Sequence, residues 1–282
     1  MQSLSSGLAF FRQAWRVAWR DKKCLEPSLY GIAAGIVITL LALIPIGLVG
    51  AFLRKGFPGI VLTGTLGTLL LCLQLACGEL SAVATAYRFH KHFVQTEGDN
   101  QKIPGLLIHT GMDWLIFVAA SPFMAAQRWN SRRRATGAKP EEAWQEATYL
   151  IMPLMVIEKL DLKDSLPRIT QLITERTLLG RETIIGVRTL NRLIYTVLGI
   201  IAAVVGLVVF RLIHGVTGAC LAILLASLFS LAAIFWTAFT RATYHTCLYG
   251  GAQFNEATLK GKPSGETWAR EMLAAILNRA IH

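Results

Sequence analysis

Six titratable residues stand at spacings or depths where side-chain chemistry becomes an issue. His109 and Asp113 are four residues apart, which puts both on one face of a helix and within reach of a shared hydrogen bond. Arg241 and His245 repeat that spacing where a long apolar block ends. Glu79 interrupts a second apolar block, and Glu158 follows closely on Pro153. Ionisable groups at membrane depth are costly and often mark ion or proton paths. On that reading the six residues line a polar vestibule for an ion or small solute. On the competing reading Glu79 and Arg241 are interfacial and snorkel, while His109 and Asp113 satisfy each other between helices.

No other constellation carries a mechanism. The chain has no Walker loop, no H-E-x-x-H, no G-x-S-x-G and no paired-carboxylate motif, so no enzymatic activity, catalytic residue or cofactor is expected. His90-Lys91-His92 sets its imidazoles on different helix faces and reads as a solvated basic stretch. Cys24, Cys72, Cys77, Cys220 and Cys247 are odd in number and scattered, which suits neither a disulfide framework nor a metal site; reduced packing residues are expected.

The elements that would hold these residues are long and apolar. Of 282 residues, 54% are hydrophobic and only 16% charged, where a soluble domain needs about a quarter charged; mean hydropathy is +0.49. Charge-free residues 28–53 form the first block, opened by Pro27 and closed by Arg54 and Lys55, and Pro45 with Gly47 predicts a kink in its outer third. A Pro58-Gly59 turn is expected to lead into residues 60–86. Residues 193–212 and 216–240 follow, joined at His214-Gly215. Each block reaches or exceeds the roughly 20 residues that cross a bilayer. The expected fold is all-α: a polytopic membrane protein with four spans in two hairpins.

Lys and Arg give the orientation. Five precede Pro27, 15 lie in 88–192 and five lie from Arg241 onward, against only Arg54, Lys55 and Arg211 in the short loops. The positive-inside rule therefore places both termini and the long connection in the cytoplasm, in a cytoplasmic (inner) membrane. The net charge of +11 is then attraction to anionic headgroups rather than to nucleic acid, for which no motif is present. Apolar stretches 106–126 and 147–157 are interrupted by Pro122 and Pro153, and full crossings would export Arg128 and Arg132 to Arg134; re-entrant or interfacial helices are expected, with six spans as the alternative. The linear division is 1–27, 28–87, 88–192, 193–249 and 250–282.

Two amphipathic helices complete the layout. Leu8, Phe11, Trp15, Ala18 and Trp19 recur at helical spacing beside an Arg12, Arg16, Arg20 stripe, the composition of a headgroup-layer helix; the same face also suits packing on the protein itself. The Arg-bearing, Ser-rich leader, acid-free until Asp21, also fits a mitochondrial presequence, although its apolar face is more aromatic than a discarded segment needs. After Pro263-Ser264, Trp268, Met272, Leu273, Ile276 and Leu277 share a face opposite Arg270 and Asn278. Gly31-x-x-x-Gly35 in the first block, and Gly199 with Gly206 in the third, are candidates for close helix packing within the chain or in a homodimer.

Phe11-Arg12-Gln13-Ala14-Trp15-Arg16-Val17, then Arg20-Asp21-Lys22, Pro27 and an apolar span resembles the opening of a large family of uncharacterised prokaryotic multi-pass membrane proteins. Further along, Trp144 to Pro153, Val156-Ile157-Glu158, the run Leu166, Arg168, Leu172 and Gly180, and the closing Leu248-Tyr249-Gly250 are similar too, so the resemblance covers residues 9–260. It implies a helical membrane fold and no particular activity. One departure is Arg168-Ile169, where the family pattern has Arg-Ser. In architecture alone, the layout is similar to the sulfate permeases of the cysteine-synthesis pathway, whose helices enter the bilayer partway; no sulfate-binding residue carries over. Two functions follow as expectations: a membrane scaffold or accessory subunit, or a small-solute or anion channel or permease.

Overall fold

The computed structural model describes residues 2–20, 22–52, 57–94, 105, 107–120, 151–165, 167–168, 181–213 and 215–258. Among them the regular elements are all helical. We number the main helices α1 (Gln2–Arg20), α2 (Glu26–Phe52), α3 (Phe57–Val94), α4 (Ile108–Ala120), α5 (described over 151–158), α6 (Arg181–Leu212) and α7 (Val216–Thr258). The expected C-terminal amphipathic helix and residues 121–126 and 147–150 lie outside the described residues.

Among the described residues, four helices are long and apolar enough to cross a membrane: Glu26–Phe52, Val61–Lys91, Thr189–Leu212 and Val216–Cys247. Three of the helices overrun their apolar blocks. α7 continues without a break to Thr258 and α3 to Val94, and α6 begins already at Arg181. At about 1.5 Å per residue, the 43 residues of α7 extend about 65 Å, twice the hydrocarbon thickness of roughly 30 Å. Pro58-Gly59 is no turn: α3 already begins at Phe57, and Pro58 occupies its first turn, where a missing N–H breaks no helical bond. α2 continues through Pro45 to Phe52. Before α7, Gly215 has a φ of 94°, a left-handed conformation open to glycine at little cost.

The described chain divides into two compact units, each drawn from separated stretches of sequence. One comprises Leu25–Ala82 and Arg188–Thr240; the other comprises the described residues up to Cys24, between Val83 and Val187, and from Arg241 onward.

The first unit is built by close approach of helices at small residues. Leu231, Ile234 and Phe235 of α7 form a buried cluster against Ile32 and Ile36 of α2 and Cys77 of α3. A methyl group on Gly31 would overlap the Phe235 ring, one on Gly35 would stand 2.5 Å from Leu231 Cδ2, and one on Gly78 would overlap Ile234. Polar links join α2 to α3. Gln74 Nε2 donates to Thr39 Oγ1 (2.9 Å), and the Thr39 hydroxyl donates to the Gly35 carbonyl (2.8 Å). Nearer the start of α2, the Ser81 hydroxyl donates to the Pro27 carbonyl (3.0 Å). On α6, Gly206 lies beside Ala222 and Ala226, with 3.8 Å from its Cβ position to the Ala226 methyl. Nothing lies within 4 Å of the corresponding position at Gly199. The seven-residue glycine seam on α6 thus has a neighbour at one of its two ends.

Outside these contacts much of the unit's surface is apolar and exposed among the described residues. Only 17%, 17%, 6% and 39% of the four apolar windows is buried, in chain order. Leu41, Ile44, Leu69, Ile200, Leu207 and Phe210 all face outward.

The second unit has a denser interior. Ile151, Met152, Leu154, Met155 and Val156 of α5 are all within 1% of full burial. The apolarity of this short run serves a protein core, the usual role of an apolar segment too short to span. Also buried within this unit are Val83–Tyr87 and Phe89 at the end of α3 and Ala242–Cys247 in α7. α1 joins this unit through Phe10, Ala14 and Ala18, and the Phe10 ring meets Tyr244 edge-on with centroids 5.0 Å apart. Of the expected Leu8, Phe11, Trp15, Ala18, Trp19 face, Ala18 is buried, Phe11 and Trp15 are half-buried, and Leu8 and Trp19 are exposed.

Candidate functional site

Five of the six residues singled out for their chemistry, His109, Asp113, Glu158, Arg241 and His245, belong to the second unit; Glu79 belongs to the first.

His109 and Asp113 share a helix as their spacing predicts, but it is a solvent- or lipid-facing one. α4 opens with a π-helical turn, Leu107–Gly111, and buries Gly111, Trp114 and Phe117, with the Trp114 and Phe117 rings stacked at 5.5 Å. His109 is exposed beside Ile108, Met112 and Ile116, and Asp113 is half-buried. The expected hydrogen bond between them is absent. The physical reason is that the two aromatic residues fix which side of α4 turns inward, and spacing alone cannot say that.

Glu158 is the residue around which polar groups do gather. It ends α5; Lys159 takes a left-handed φ of 57° that stops the helix, a conformation more usual for glycine at that point. A short turn follows, in which the Ser165 hydroxyl donates to the Asp161 carbonyl (2.9 Å). The chain so brings Arg168 back, its Nε 3.6 Å from Glu158 Oε2. The other carboxylate oxygen accepts the Tyr249 hydroxyl from α7. One carboxylate therefore ties together three separate stretches of sequence.

On α7, Arg241, His245 and Tyr249 recur every four residues, one stripe of the helix. Arg241 is half-buried, whereas His245 and Tyr249 are buried. Tyr244, between them, is 1% exposed and holds Phe10 of α1. Arg241, Tyr244 and His245 all make further interactions, as do Tyr87, Arg88 and Glu79 on α3. Chemically the stripe offers donors and one carboxylate: groups that suit an anion or a fixed internal network. Three or more His, Cys, Asp or Glu in metal-binding reach do not occur among the described residues.

Tyr249, named only in the closing Leu248-Tyr249-Gly250 run, and Tyr244 are not among the candidate site residues read from the sequence. The signal for Tyr249 was present, since the Arg241–His245 spacing carried one more turn reaches it. Tyr244 leaves no such trace, because its partner Phe10 is more than two hundred residues away in sequence. Arg12, Arg16, Arg20 and Trp19 are exposed along α1, and Trp15 is half-buried.

Compared with known proteins, the chain matches no family model, no curated protein and no solved structure.

Proposed function

We propose that the protein is a non-enzymatic, multi-pass inner-membrane protein that acts as a scaffold or accessory subunit within a larger membrane assembly. The observation that carries this reading is the outward-facing apolar surface of the four long helices, of which 6–39% is buried by the chain itself. Soluble monomers rarely expose contiguous apolar patches above a few hundred Å². Lipid, with protein partners for the remainder, accounts for such a surface.

The four helices then cross as two hairpins, α2 with α3 and α6 with α7, each closed by a short external connection. The excess of Lys and Arg elsewhere favours cytoplasmic termini and a cytoplasmic 88–192 connection. The overrunning ends of α3, α6 and α7 are too long for the hydrocarbon, so their polar residues serve outside it. A scaffold is favoured over a conduit because the interior of the second unit is occupied by large side chains, including Phe89, Met152, Met155, Tyr244 and Tyr249. Its carboxylate is also already engaged by Tyr249 and Arg168.

A second reading, an anion channel or permease, has one observation in its favour: the donor-rich stripe Arg241, His245, Tyr249 on α7. The two are separated by sulfate and chloride flux into liposomes holding the purified protein, with its complexes sized after extraction in mild detergent. The scaffold predicts flux no greater than in empty liposomes and a stoichiometric partner in the extracted complex. Saturable flux that Arg241→Ala abolishes, with helicity intact, overturns it in favour of permeation.

A further inference from the structure

We infer that α1 is an anionic-phospholipid docking surface, seated so that its guanidinium face is exposed and its aromatic face half-exposed beside it. Three ladders run along this helix in adjacent sectors, each with a repeat of four. Phe10, Ala14 and Ala18 are buried, at 4%, 0% and 0% exposure. Phe11, Trp15 and Trp19 come next, their rings 6.1 Å and 6.0 Å apart in succession. Arg12, Arg16 and Arg20 follow, all exposed.

The first ladder sets the rotation of the helix. Two alanines let the backbone approach its support closely, and Phe10 locks against Tyr244 with ring centroids 5.0 Å apart. With that side used, the basic ladder stays exposed and the aromatic ladder, half-buried at Phe11 and Trp15, emerges at Trp19. Trp19 is accordingly 66% exposed, an unusual position for the largest apolar side chain.

The occupant follows from charge and shape together. α1 contains no acidic residue over Gln2–Arg20, and Lys22 and Lys23, both exposed, extend its basic end. Arg12, Arg16 and Arg20 make no ion pair with any described residue. A guanidinium ladder bordered by an indole ladder matches the headgroup layer, where indoles stay at the polar–apolar boundary and guanidiniums reach phosphate oxygens. Each basic side chain near an anionic surface adds attraction that falls off within a Debye length. An acidic protein face would satisfy the arginines but would leave the adjoining Trp ladder without a matching apolar layer.

The inference rests on the membrane reading, and its test keeps the two apart. The full chain is reconstituted in phosphatidylcholine vesicles containing a minority of phosphatidylglycerol, with bromine on the acyl chains of one lipid or the other as fluorescence quencher. The Trp15 and Trp19 contribution is taken as the difference between the native chain and a Trp15→Phe/Trp19→Phe variant. At equal mole fraction, brominated phosphatidylglycerol is expected to quench this contribution about twofold or more above brominated phosphatidylcholine. The preference should fall to about one in Arg12→Gln/Arg16→Gln/Arg20→Gln, and in the native chain at about 1 M salt, where the Debye length is about 3 Å. The triple variant alters exposed side chains only and leaves the buried ladder whole; the salt arm needs no variant. Equal quenching by the two lipids overturns the inference, as does a preference that survives both the triple variant and high salt. If the residual emission, which includes the outward-facing Trp236 of α7, resists quenching by either lipid, the membrane reading itself fails and takes this inference with it.

Discussion

Glu158 receives a hydroxyl and a guanidinium, and the two are worth different amounts. Tyr249 is fully buried, so removing its hydroxyl deprives a carboxylate of a charge-assisted hydrogen bond that water cannot easily replace. Tyr249→Phe is expected to cost about 1.5–3 kcal/mol. The Arg168 side chain is 39% exposed, so Arg168→Ala should cost at most about 1 kcal/mol. Thermal unfolding of the two variants in detergent checks the order; equal losses would mean that Arg168 is more than a partly solvated partner. Gln74 and Thr39 make a comparable case in the first unit. Combining Gln74→Leu with Thr39→Val in a double-mutant cycle should yield a coupling of about 0.6 kcal/mol and no more than about 1.7 kcal/mol, the average and maximum for hydrogen bonds between membrane helices. At this scale the sequence is only partly readable. A spacing of four announces that Arg241, His245 and Tyr249 share a face, and that His109 and Asp113 do. It does not say which face is inward, and no local pattern pairs Gln74 with a threonine 35 residues earlier.

The elements follow physical rules of different visibility. In lipid, helices gain little by burying apolar side chains from one another, so close packing at small residues and a few hydrogen bonds decide their contacts. Gly35 is such a contact, with Leu231 pressed against it, and Gly199 is not. Gly35→Leu is therefore expected to destabilise by about 1–3 kcal/mol through overpacking. Gly199→Leu should change stability by less than about 0.5 kcal/mol. Unfolding midpoints in the same detergent test the contrast, and equal effects would contradict the packing described for α2 and α7. The four apolar blocks are plain in the sequence because hydropathy averaged over a window of about 19 residues picks out any long apolar run. Their extensions are not: Ala242–Thr246 mixes small, hydroxylated and titratable residues, which lowers mean hydropathy even though these residues are among the most deeply buried. The same blindness hides the buried ladder of α1. Ala14 and Ala18 contribute little hydropathy beside Trp15 and Trp19, yet smallness is what lets the helix seat closely. Pro58-Gly59 misleads for another reason, since its residues suit a turn and the first turn of a helix equally well.

As a whole molecule, the protein joins a bilayer-length apolar unit to a unit with a filled core and a polar network around Glu158. The membrane reading accounts for the exposed apolar faces, for the surplus length of α3, α6 and α7, and for the concentration of Lys and Arg away from the two short connections. The all-helical class and the number of long apolar helices among the described residues are legible in the sequence, because each helix follows an apolar run of about 20 residues or more. The allocation of residues between the two units is not, since each is assembled from stretches far apart in the chain.

Membrane topology is the central claim, and impermeant maleimide labelling of single cysteines tests it most directly. In a cysteine-free background in intact cells, Lys55→Cys and Ile213→Cys are expected to label from outside. Ser3→Cys and Ser131→Cys should label only after the membrane is opened. Labelling of Ser131→Cys in intact cells would contradict the four-crossing account and require six. Protection of both Lys55→Cys and Ile213→Cys until the membrane is opened would contradict the orientation itself.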